Sequence, residues 1–119
     1  MMRIMAIEKN EEALAFLENQ IKSAFPESVC NGFADPLMAI QFYMRSPSDL
    51  TIFCLDMKII DGFTFTRTMR NIERTFTGIV LAEDSSQLND IRKYQLEGVV
   101  KPYGMQQLKD AWEVISALQ

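Results

Sequence analysis

Short apolar runs alternate with amphipathic helical patterns along this entire chain, and that alternation restricts the fold more than any single motif does. The apolar runs are Arg3 to Ile7, Ser28 to Phe33, Leu50 to Leu55, Ile79 to Ala82 and Gly98 to Val100. Runs of this length without polar alternation suit strands buried on both faces. Between the first two, Asn10 can cap a helix with Glu11 and Glu12 in its first turn and a buried stripe of Leu14, Leu17, Ile21 and Ala24. Asp35-Pro36 is a helix start, with Met38, Ile40 and Phe42 expected inward and a stop before Ser46-Pro47. Gly62 leads into a third helix whose apolar positions, Phe63, Phe65, Met69 and Ile72, are too many for all to be covered. Ser85 or Ser86 is the expected cap of a short fourth helix marked by Leu88, Ile91 and Tyr94 to Leu96. Leu108, Ala111, Trp112, Ile115 and Leu118 give the last helix one buried face.

Strict alternation of five strands and five helices predicts an α/β three-layer sandwich around a parallel five-stranded sheet. Right-handed crossovers leave few topologies, of which the flavodoxin-like (βα)5 order 2-1-3-4-5 is the expected one. At 119 residues the chain is read as a single domain, 1–119.

Composition removes several function classes. The formal charge is -4, with scattered basic residues, which argues against a nucleic-acid surface. The absence of histidine removes the usual general base, the usual metal ligand and any phosphohistidine. Cys30 and Cys54 form no C-x-x-C pair, so neither a zinc site nor a redox pair is signalled, and reduced thiols are expected. The first apolar run is too short for a signal peptide or a membrane span. A cytoplasmic chain with no membrane contact is therefore expected. No glycine-rich phosphate loop or nucleophile elbow is present, which argues against a flavodoxin-like enzyme.

Several short segments carry a resemblance that extends over the whole chain. They are Ile4 to Glu8 with its acidic end, Ser48-Asp49-Leu50, Met57, Ile60-Asp61-Gly62, and Val100-Lys101-Pro102-Tyr103. In this order and spacing they resemble the receiver domain of bacterial response regulators, the module that a histidine kinase phosphorylates on an aspartate in two-component phosphorelay signalling. The resemblance implies a cis peptide at Lys101-Pro102, a Mg²⁺ cofactor in ordinary members, and signalling through a face built by helix four, strand five and helix five.

Residue by residue, the reacting set departs from that pattern. Receivers carry two adjacent acids after strand one, and here the pair is Glu8 and Lys9. Counted without gaps from either Asp49-Leu50 or Asp61-Gly62, the acceptor position falls on Cys54. A second register places the acceptor at Asp56, at the expense of the Met57 match. The hydroxyl position falls on Ala82 or Glu83, and the switch aromatic on Gly98, whereas Lys101 is retained. Glu8, Lys9, Cys54 and Lys101 would together be net positive, which disfavours a divalent cation. Lys9 is expected near the metal position, paired with Glu8. If a metal bound, Glu8 and Asp56 would be its ligands.

The reading that follows is a pseudo-receiver, not an enzyme and without a cofactor, which acts by protein-protein interaction. Its expected partners are a histidine kinase or an output or effector domain, either as a free-standing domain or with an output domain after Gln119. A homodimer through helix four, strand five and helix five is a further expectation, with Tyr94, Tyr103, Gln106 and Gln107 as interface residues. The alternative is a phosphorylatable receiver that uses Asp56. Cys54 itself reads as a small buried strand residue, as Trp112 and the methionines read as core.

Overall fold

The computed structural model describes residues 1–118; the expectation of an output domain after Gln119 falls outside them. The strands are β1 (Arg3–Ile7), β2 (Val29–Phe33), β3 (Leu50–Cys54), β4 (Gly78–Ala82) and β5 (Glu97–Val100). They form one parallel sheet of order β2-β1-β3-β4-β5. The helices are α1 (Glu11–Ala24), α2 (Pro36–Arg45), α3 (Gly62–Ile72), α4 (Leu88–Lys93, preceded by a 3₁₀ turn) and α5 (Met105–Ala117). The doubly wound (βα)5 architecture and its strand order are those anticipated from the alternation.

The central strands explain themselves by composition. Every residue of β3 and β4 is buried, as is β1 after Arg3. Helix starts follow capping chemistry: the side chains of Asn10, Asp35 and Asp61 accept from the backbone N–H groups of Ala13, Leu37 and Thr64. The fourth helical segment differs from expectation, because Asp84, not Ser85 or Ser86, supplies the cap, accepting from the Ser86 N–H at 2.8 Å. A carboxylate is the stronger acceptor at a helix start.

Some stripes also rotate. In α2, Ala39 and Tyr43 are the buried apolar side chains after Pro36, whereas Met38, expected inward, is 54% exposed. Tyr43 packs edge-to-face on Phe76, 6.3 Å between ring centroids, so the larger aromatic sets the helix rotation. In α5 the stripe is Leu108, Ala111 and Ile115; Leu118 is 84% exposed, past the helix end.

Two glycines stand where the backbone approaches closely. A Cβ on Gly78 would lie 2.6 Å from the Thr51 carbonyl oxygen across the β3–β4 pair. One on Gly62 would lie 3.1 Å from the Leu55 Cα, where the Gly62 N–H donates to the Leu55 carbonyl at 2.8 Å. That second contact folds residues 55–61 into a closed turn above the end of β3. Within this turn Ile59 has φ of 73° and is 70% exposed. A left-handed β-branched residue is strained by roughly 1–2 kcal/mol. Ile59→Asn is therefore expected to raise stability by about 1 kcal/mol, read as a higher urea midpoint at unchanged slope. A lower midpoint would mean that the Ile59 side chain contributes packing that outweighs the strain.

Candidate functional site

The C-terminal ends of β1, β3, β4 and β5 converge on one cluster, as expected for a doubly wound sheet. Glu8 continues β1, its N–H donating to the Phe33 carbonyl, and its side chain is 1% exposed. One carboxylate oxygen, Oε2, accepts from the Lys101 ammonium at 2.8 Å, and the other, Oε1, accepts from the Lys9 N–H at 2.8 Å. Lys101 is held in turn by its own N–H, which donates to the Ala82 carbonyl, and stands before a cis Pro102. Buried Glu8 is thus paired by a cation and a backbone donor, which is what permits a carboxylate there at all.

Lys9 does not pair with Glu8 through its side chain, contrary to the expectation above. Its ammonium lies 3.5 Å from Glu83 and 3.9 Å from Asp56, while Lys101 already occupies the free side of Glu8. Glu83, the first residue after β4, also lies 3.4 Å from Lys101, so its carboxylate bridges both lysines. The charge of Lys101, then that of Lys9, holds the Glu83 carboxyl below its ordinary range. Burial by itself would lower the Lys101 pKa, but the hydrogen bond and charge of Glu8, with Glu83 beside it, raise it overall. Glu83 entered the sequence reading only as a position lacking a hydroxyl. Its acidic type just past a strand end, like that of Glu8, was the one feature of the sequence that marked it. With Glu83 and Asp56 counted, three carboxylates face two ammonium groups, so the cluster is net negative rather than net positive.

Cys54 ends β3 and is 1% exposed. Its thiol donates to the Asp56 carbonyl at 3.3 Å. Burial, followed by the Glu8 carboxylate, pushes the thiol up, with Lys101 pulling weakly the other way, so the thiolate is disfavoured. Asp56 is placed differently. Because β3 stops at Cys54 and the chain then turns, the two-residue strand period does not extend to Asp56, and its side chain is 73% exposed. Ala82 is fully buried at the end of β4. Above Gly98 the space is filled: a Cβ there would meet the Leu88 Cδ2 at 2.5 Å.

The thiols make stability fall on the alkaline side. Cys30 is raised to about 11, by burial and then Glu18, and Cys54 is raised too. An unfolded thiol titrates near 9.0 and these do so later, so unfolding releases protons above pH 9.0. Their contribution is complete below that pH and is lost as pH rises through the folded values. Each thiol is expected to add about 1.4 kcal/mol per pH unit to the decline. Cys54→Ala should remove one such increment from urea-unfolding free energies measured above pH 9; an unchanged slope would place the thiol in contact with solvent.

The interface candidates separate into two groups. Tyr94 stacks on Phe63 at 4.5 Å and its hydroxyl accepts from Arg67. Gln106 donates to Asp110, and Gln107 accepts from the Gly104 N–H at the start of α5. Tyr103 turns toward α1, edge-to-face on Phe16 at 5.4 Å, and its buried hydroxyl has no partner among the described residues. It lines an open groove of about 530 Å³ with Phe16, Glu8, Glu83, Lys101 and Pro102.

Receiver folds imply a magnesium ion at this end of the sheet. A hard divalent cation needs about six oxygen ligands. Both Glu8 oxygens are already engaged, and among the described residues no three Asp, Glu, His or Cys side chains gather as a metal-binding group. This donor set does not fit Mg²⁺.

The parallel sheet of order 2-1-3-4-5, the acid after β1 and the Lys-cis-Pro step after β5 define a receiver-type (βα)5 domain. The chain has the response regulator receiver fold, and the three solved structures that follow are described as response regulators or their receiver domains. It superposes on the response regulator TrrA of Thermotoga maritima, solved in complex with Mg²⁺ and BeF, at a TM-score of 0.81 and 20% identity over 100% of both chains. A response regulator receiver domain protein of Clostridium thermocellum gives 0.83 and 15%, again over 100% of both. The chemotaxis response regulator CheY4 of Vibrio cholerae gives 0.80 and 14%, over 100% of this chain and 99% of that one. No protein-family model matches the chain, and no curated protein does.

Proposed function

We propose that this domain is a pseudo-receiver of two-component signalling, which works by binding a signalling partner and does not undergo Mg²⁺-dependent aspartyl phosphorylation. One observation carries the reading: the acceptor position at the end of β3 is a buried thiol, Cys54, beside a Glu8 whose two oxygens are taken by Lys101 and the Lys9 N–H. Phosphoryl transfer to a carboxylate depends on a positioned acceptor and on a cation that neutralises the equatorial oxygens. A thiol forms no acyl phosphate, and Lys101 is already neutralised by Glu8. The domain is then not an enzyme and needs no cofactor. Constitutive docking of a histidine kinase or effector domain, in the cytoplasm of a bacterium, is the role left to the fold. The hydroxyl and switch-aromatic positions of the resemblance are Ala82 and Gly98 in this chain, which supports a fixed conformation over a switched one.

Incubation with acetyl phosphate and Mg²⁺, read by intact mass, is expected to give no phosphoryl adduct, and beryllofluoride no saturable amide shifts at residues 54–56. A Mg²⁺-dependent adduct mapped to Asp56 would replace this reading with that of a working receiver.

A further inference from the structure

A second cleft lies at the opposite end of the sheet, and its chemistry is different. It encloses about 960 Å³ beneath the starts of β4 and β5, between the end of α3, the α4–β5 turn and the last turns of α5. Arg70, Arg74 and Arg92 line it against a single carboxylate, Glu97, in a chain whose net charge is -4. Among the described residues none of the three arginines makes an ion pair. Arg70 is anchored by its Nε, which donates to the Phe76 carbonyl at 3.0 Å, while Arg74 and Arg92 are exposed. The floor is apolar, with Phe76 6% exposed. Val114 and Leu118, 48% and 84% exposed, stand one turn apart and form an apolar lip along the end of α5.

We propose that this cleft docks an acidic amphipathic peptide segment of a partner protein. Guanidinium groups pair with carboxylates through two parallel hydrogen bonds, and unpaired arginines retain that capacity. The lip presents apolar side chains at one-turn spacing, which matches Leu or Phe at the same spacing on a docked helix. A small anion would satisfy the arginines and leave Val114 and Leu118 uncovered, and a basic segment would meet three like charges. The inference shares no residue with the Lys101 end and stands whether or not that end is phosphorylated.

A library of short peptides restricted to Asp, Glu, Leu and Phe would be selected against the whole chain, beside a library with Lys and Arg in place of the acids. The acidic library is expected to yield binders whose amide shift changes map to residues 70–77, 92–97 and 114–118. Arg74→Glu and Arg92→Glu, both at exposed positions, should each weaken binding about tenfold with unaltered melting. Failure of the acidic library, preference for the basic one, shifts confined to the Lys101 end or indifference to both substitutions would overturn the proposal. Self-association of the chain through these same residues would also do so, since the occupant would then be a second copy.

Discussion

Lys101→Met is expected to destabilise the domain by about 3–5 kcal/mol, because it leaves the Glu8 carboxylate buried and without its cation. Glu8→Gln combined with Lys101→Met removes both charges together and should recover much of the loss, since an uncharged pair carries no stranded charge. Urea denaturation of the two single variants and the double variant measures the coupling. A Lys101→Met deficit below about 1 kcal/mol would show that the pair behaves as a surface ion pair. The cluster would then be open enough to exchange Lys101 for another cation, Mg²⁺ included.

Phe53→Ala should cost about 3–5 kcal/mol, for reasons of packing alone. Phe53 is fully buried near the C-terminal end of β3 and its ring lies 5.0 Å from Phe65 and 6.3 Å from Phe76, which also meets Phe65 at 6.1 Å. Removing it opens a cavity between rings that are carried by α3 and by the turn before β4, so collapse onto the gap is restricted. Because Phe76 is also the floor of the arginine cleft, the same substitution should weaken acidic-peptide binding, which neither Cys54→Ala nor Ile59→Asn is expected to do. Measured destabilisation below about 1.5 kcal/mol would mean that the aromatic cluster repacks.

The architecture was legible because it depends on local signals. The caps at Asn10, Asp35 and Asp61 and the fully apolar β3 and β4 runs are each specified by a few adjacent residues. Helix rotation was less legible: Met38 and Leu118 fit an apolar spacing as well as Tyr43 and Ile115 do, and only the neighbouring surface chooses between them. At the candidate site the positions of Glu8, Cys54 and Lys101 could be counted along the chain, but the pairing among them could not. Glu83 joins the cluster because β4 happens to end beside both lysines, a contact that no spacing within the chain records.

From its sequence alone, then, this chain specifies a doubly wound sheet and places a thiol at the end of the third strand, since strand and helix periodicity are properties of consecutive residues. The tertiary structure decides which cation meets Glu8, that Asp56 turns to solvent while Cys54 does not, and that Arg92 of α4 joins Arg70 and Arg74 from the end of α3 in one cleft. These outcomes depend on where strands stop and on which residues distant in the chain become neighbours, and neither is encoded in any one segment.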